Sequence, residues 1–110
     1  MKSVFTIKLS GKLDQVSILD YNKSVVDLID SNTEPFVIVL EMAEVEYMNS
    51  TAIGYMAEWY NIFTQKGGEI AIVGAQENIE DTLDIVGLAS RIKMYSTVEL
   101  FKADFLKIHE

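Results

Sequence analysis

The spacing of hydrophobic and polar positions changes several times along the chain, and each change marks an element. Val4-Phe5-Thr6-Ile7-Lys8-Leu9 alternates, with Phe5, Ile7 and Leu9 on one face, as a half-exposed strand does. Ser10-Gly11-Lys12 reads as a turn. From Val16 to Ile29 the period becomes helical: Ile18, Tyr21, Val25 and Ile29 share a stripe, while Asp20, Lys23, Asp27 and Asp30 fall elsewhere. Asp30-Ser31-Asn32-Thr33 is loop-like, and Pro35 marks the start of the next element.

Phe36-Val37-Ile38-Val39-Leu40 is apolar on both faces, which suits a strand in the middle of a covered sheet. Glu41 to Val45 reads as a short polar connection and Glu46-Tyr47-Met48 as a brief extended run. A helix is expected from Ser50 to Gln65, stopped by Gly67-Gly68. Ile70-Ala71-Ile72-Val73 is a second apolar strand. Asn78 is placed to cap a helix that buries Ile79, Leu83 and Val86 and closes at Gly87. A short strand near Ile92-Lys93-Met94-Tyr95 precedes a last amphipathic helix over Thr97 to Phe105. The order β-α-β-α-β-α-β-α predicts an α/β fold: a mostly parallel or mixed sheet of four to five strands packed by about four helices. No linker, repeat or low-complexity run divides the 110 residues, so residues 1–110 are expected to form a single domain.

Composition narrows the chemistry. With no cysteine, disulfides and thiolate metal sites are unavailable. The one histidine, His109, stands beside the C-terminus, which removes most nucleophile-histidine and histidine-metal chemistry. The start Met1-Lys2-Ser3-Val4-Phe5-Thr6 lacks the apolar run of a signal peptide, and no run approaches the roughly 20 apolar residues of a membrane span. A cytoplasmic protein without direct membrane insertion is expected. Seventeen acidic against nine basic residues give a net charge of −8, which repels nucleic acid and anionic membranes and favours a basic partner or simple solubility.

Phosphate-cradling motifs of the G-x-x-x-x-G-K-[ST] and G-x-G-x-x-G kinds are missing. Gly67-Gly68 follows a helix and precedes a strand, the order of a helix stop. Glu41, Glu44 and Glu46 lack a histidine, lysine or metal partner nearby in sequence, and calcium-loop spacing is absent. The expectation is a binding protein, not an enzyme, with no cofactor and no metal.

Tyr47-Met48-Asn49-Ser50-Thr51-Ala52-Ile53-Gly54 joins an extended run directly to a helix. The first helical turn leaves N–H groups unpaired and carries partial positive charge. Asn49 or Ser50 can cap that turn through a side-chain oxygen. The same geometry suits a phosphate on Ser50 or Thr51, whose added charge of about −1.5 to −2 would change what the surface binds.

Two motifs here resemble the STAS domain family, shared by bacterial anti-sigma factor antagonists and the cytoplasmic tails of sulphate transporters. Ser10-Gly11-Lys12-Leu13-Asp14 is similar to the family's G-x-L-D, and Met48-Asn49-Ser50-Thr51-Ala52-Ile53-Gly54 to its D-S-[ST]-G-[LI]-G. Gly67-Gly68 and Leu83-Asp84-Ile85-Val86-Gly87-Leu88 fall where the family has G-G and L-x-x-x-G-[LI], so the resemblance runs from Val4 to Phe101. It implies a partner-switching regulator that binds an anti-sigma factor doubling as a serine-protein kinase, is phosphorylated at Thr51 (Ser50 being the alternative), and is reset by a phosphatase. Asp14 and Asn49 would sit close to the acceptor, and a weak homodimer is a secondary expectation. Asn49 stands where the family usually has Asp and Ala52 where it usually has Gly. The other reading the resemblance carries is a phosphorylation-independent STAS subunit of a transporter or lipid-trafficking complex.

On the 50–65 helix, Ile53, Met56, Ala57, Tyr60 and Thr64 are expected to face the sheet, leaving Tyr55, Trp59 and Ile62 nearly opposite. Aromatic residues on an exposed face are common interface anchors, so Tyr55, Trp59 and Ile62 are expected to extend a partner surface that starts at Thr51 and includes Asp14, Asn49, Ser50 and Ala52.

Overall fold

The structure, a computed structural model, describes the backbone of residues 3–109 and the side chains of residues 3–107. Met1, Lys2, Glu110 and the side chains of Ile108 and His109 therefore lie outside the described residues. Four strands, β1 (Ser3–Leu13), β2 (Phe36–Met48), β3 (Glu69–Val73) and β4 (Lys93–Tyr95), alternate with four helices, α1 (Ile18–Ser31), α2 (Ser50–Gln65), α3 (Glu77–Ile85) and α4 (Val98–His109). A short 3-10 turn, Leu88–Ser90, separates α3 from β4. The element order is the one the periodicity predicts.

The strands lie side by side in chain order, β1-β2-β3-β4, and every pair is parallel. Of the mostly parallel or mixed sheet expected, the structure shows the wholly parallel form. Each crossover steps to the next strand in the same direction, and the right-handed preference of such crossovers carries α1, α2 and α3 onto one face. There Ile38, Leu40, Ile70 and Ile72 meet Ile18, Val25 and Ile29 of α1, Ala52, Met56, Trp59 and Phe63 of α2, and Ile79 and Leu83 of α3. The alternate residues Val37, Val39, Ala71 and Val73 point the other way and are covered by Phe101 and Phe105 of α4. That two-sided burial is why β2 and β3 read as unbroken apolar runs.

Two readings of strand ends change. Glu41 to Val45 is not a connection: β2 continues to Met48, with Met42, Val45 and Met48 buried between exposed or half-exposed residues. Ser10-Gly11-Lys12 is likewise inside β1, where the pairing slips between Lys8 and Ser10 and again between Gly11 and Lys12. Gly11, at φ 70°, supplies the left-handed backbone at that irregularity. Both strands thereby extend to the end of the sheet where α1 and α2 begin. Asn78 does not cap α3. It lies inside the helix, where its Nδ2 donates to the Glu46 carbonyl at 3.2 Å, and Val86 is half exposed rather than buried.

Candidate functional site

At the carboxyl ends of β1 and β2 the chain turns twice into helices, and polar side chains bind the two turns together. The Asn49 N–H donates to the Leu13 carbonyl at 3.0 Å, which fixes the end of β2 against the end of β1. The Asn49 Oδ1 accepts from the Ala52 N–H at 3.0 Å and so caps α2. Its Nδ2 donates to Gln15 Oε1 at 2.8 Å. An aspartate here could cap α2 equally well but could not donate to Gln15. The departure from the family's Asp thus has a local use.

Asp14 opens the turn into α1. Its Oδ1 accepts from the Val16 and Ser17 N–H groups, both at 2.9 Å, while Ser17 Oγ accepts from the Asp14 N–H at 3.0 Å. This reciprocal pair is a capping box with serine in the return position. The two backbone donors, Ser17 foremost, hold the Asp14 carboxyl below the usual carboxylate range. Its ionised form is therefore the one this turn favours. The sequence reading gave Asp14 a place near the acceptor but missed Gln15 and Ser17, the residues that tie it there. The Asp-x-x-Ser spacing was the available signal.

Between these caps, Ser50 and Thr51 occupy the first two positions of α2, and both are exposed. The first backbone bond of α2 runs from the Ile53 N–H to the Asn49 carbonyl at 3.1 Å, so the N–H groups of Ser50 and Thr51 lie ahead of the helical ladder. Neither hydroxyl takes part in a hydrogen bond among the described residues. Donors, helix dipole and free hydroxyls coincide at one place.

The rest of the expected surface is corrected. Trp59 is 1% exposed and belongs to the core, its indole Nε1 donating to Asn22 Oδ1 at 2.8 Å. Ala52 is fully buried, so its methyl faces the core and offers nothing to a partner. Tyr55 and Ile62 are half-buried and pack against the same cluster. The buried line of α2 is Ala52, Met56, Trp59 and Phe63, about one residue around from the expected Ile53–Thr64 face. The exposed residues are Ser50, Thr51, Gly54, Glu58, Asn61, Thr64 and Gln65. The opposite side is what α1 covers, through Asn22, and the periodicity of α2 alone could not show that.

A groove of about 560 Å³ runs along α2, with Ser50, Ile53, Gly54 and Ala57 on one wall and Val86, Gly87, Leu88, Ser90 and Arg91 on the other. Val86 on that second wall is 50% exposed. Of Glu41, Glu44 and Glu46, Glu44 pairs with Lys8 at 2.8 Å on the open surface. Among the described residues no group of three or more His, Cys, Asp or Glu could hold a metal, and no helix is long and apolar enough to cross a membrane.

A parallel α/β sheet with a capped Asn-Ser-Thr turn at the start of the second helix defines a class. The chain belongs to the STAS domain family, whose model it matches over residues 2–100. Among curated proteins it is 28% identical over 94 residues to an anti-sigma F factor antagonist of Paenibacillus polymyxa, covering 86% of this chain and 80% of the relative. Two solved structures share the fold. One is the STAS domain of a SulP transporter from Vibrio cholerae, with TM-score 0.81, 18% identity, and 99% of this chain and 86% of that one covered. The other is the anti-sigma factor antagonist SpoIIAA in its unphosphorylated form, with TM-score 0.77, 16% identity, and 97% and 90% covered.

Proposed function

We propose that this protein is an anti-sigma factor antagonist: a cytoplasmic, non-enzymatic regulator that binds an anti-sigma factor of the serine-protein-kinase type. Phosphorylation at Thr51, with Ser50 as the alternative acceptor, controls that binding, and a phosphatase reverses it. The observation that carries this reading is the exposed hydroxyl pair at the start of α2, ahead of the first intrahelical bond and without a hydrogen bond among the described residues. The kinase would transfer the terminal phosphoryl group of ATP to the hydroxyl oxygen and take up the hydroxyl proton. The resulting dianion would meet open N–H donors and the positive end of the helix, so the domain keeps its shape. Release then comes from charge and bulk at the docking surface. A coupling of about 1–3 kcal/mol lowers partner affinity by roughly 5- to 150-fold. The names of the curated relatives support the same role.

Mass spectrometry after incubation with ATP and the anti-sigma factor of the same genome tests the reading. Phosphate is expected on Thr51 or Ser50, and Thr51→Glu is expected to weaken the complex at least about fivefold. Phosphate only on other residues, or none, sinks the switch. The likeness to a SulP transporter STAS domain favours a second reading, a subunit of a transporter or lipid-trafficking complex that works without phosphorylation. A stable complex with such a partner, indifferent to Thr51→Glu, would establish it.

A further inference from the structure

Gly54 is the one glycine of this chain that its own fold does not explain. Of the six glycines, Gly11, Gly67, Gly74 and Gly87 have positive φ. Gly68 has no room for a side chain, since a Cβ would lie 2.8 Å from the Phe36 carbonyl oxygen and 2.8 Å from Phe63 Cδ1. Gly54 has neither excuse: it sits in the second turn of α2 with helical backbone, and a Cβ there would meet nothing within 4 Å. Glycine inside a helix is destabilising relative to alanine, so the gap weakens α2 without serving any contact of the folded chain. What it leaves open is the α2 wall of the groove between α2 and the corner after α3.

The opposite wall points the same way. Val86, which lines it, is 50% exposed, a branched apolar side chain with half of its surface open to the groove and solvent. Arg91 lines the groove together with Ser50, and among the described residues its guanidinium makes no ion pair. Glu58 and Asp84 stand exposed on the α2 and α3 sides. Neither wall offers an unpaired strand edge, so an extended segment would find no backbone partners there, whereas a helix can seat a ridge of side chains in such a groove.

We propose that this groove seats an amphipathic helix of the anti-sigma factor. Its apolar ridge lies on Gly54 against Val86, a carboxylate on it reaches Arg91, and cations on its flanks face Glu58 and Asp84. The inference rests on the antagonist reading and deepens it. Phosphate on Ser50, or on Thr51 next to it, would compete for Arg91 and repel the partner's carboxylate. This gives the added charge a specific way to release the partner.

Titration calorimetry of the full chain with the anti-sigma factor of the same genome tests the proposal. Gly54→Leu adds a side chain into open space and Arg91→Glu reverses an exposed charge, so both variants are expected to melt no lower than wild type. Each is expected to raise Kd about tenfold or more. Replacement of the matching carboxylate on the partner helix by lysine should restore affinity to Arg91→Glu but not to Gly54→Leu. Wild-type affinity in both variants would overturn the groove and leave the antagonist reading standing. Failure of the wild-type chain to bind would overturn both. Self-association that Gly54→Leu abolishes would assign the groove to a second copy of this chain and likewise defeat the proposal.

Discussion

Two polar side chains with similar chemistry have opposite fates at the scale of single residues. Asn49 keeps its amide at the surface and joins β1, β2 and α2. Asn22, on α1, turns its amide oxygen inward to satisfy the indole of Trp59. Trp59 is therefore both the largest fully buried side chain and a polar link between two helices. Trp59→Ala removes the packing and the bond together and is expected to cost about 3–5 kcal/mol. Asn22→Ala strands a buried N–H and is expected to cost about 1–3 kcal/mol. Urea unfolding measures both, and a Trp59→Ala loss below about 1 kcal/mol would contradict the core assignment. Sequence reasoning placed Trp59 outside because it judged α2 by its own periodicity. With apolar residues most of the way round, α2 has no sharp polar face, and only the position of α1 decides which side is buried. The Asn49-Ser50-Thr51 turn was legible for the opposite reason: caps are local chemistry and need no tertiary information.

Among the elements, the helices were easier to read than the strands. The bounds of α2 follow from Asn49 at one end and Gly67-Gly68 at the other, where the Gly68 N–H closes onto the Phe63 carbonyl at 2.8 Å. β2 was cut short because its Glu41–Met48 half changes from two-sided to one-sided burial as it passes the end of α4's cover. A loop and a half-exposed strand look alike where glutamates interrupt the apolar residues. α4 alone covers the second face of the sheet among the described residues. Phe101 and Phe105 stack on each other at 5.6 Å and cover the second face of the sheet. The Tyr95 hydroxyl donates to Asp104. Burial and that carboxylate push the Tyr95 phenol up to about 12, so its contribution is complete below the ordinary value of 10.0 and is lost as pH rises through about 12. Phe105→Ala is expected to cost about 3–5 kcal/mol locally. In hydrogen exchange, α4 should then open before β2 and α2 lose protection. Simultaneous loss of protection everywhere would show α4 to be part of the central cooperative unit.

For the molecule as a whole, the topology explains where function can sit. Parallel α/β sheets usually bind small ligands in a crevice where the strand order reverses. Here the order never reverses, so the sheet has no such switch point. Recognition here can also draw on the net charge of −8. A partner with basic flanks should be steered toward such a field. Raising ionic strength from about 0.1 M to about 1 M shortens the screening length from about 10 Å to about 3 Å. The association rate in stopped flow is expected to fall with salt while the dissociation rate changes little. A rate indifferent to salt would mean that docking is driven by the apolar groove alone. The α/β class and element order were readable because they follow from periodicity, whereas the wholly parallel pairing depends on which strands become neighbours.

The slips in β1 have a further consequence, for crowding. β1 is a sheet edge of 11 residues, a row of backbone donors and acceptors that another copy could in principle extend. A copy reading along it meets unbroken register only over Ser3–Lys8, and beyond that the Ser10 N–H is already taken by the Tyr21 hydroxyl at 3.3 Å. The irregularity that carries β1 to the functional end of the sheet also spoils it as a template for strand-by-strand aggregation.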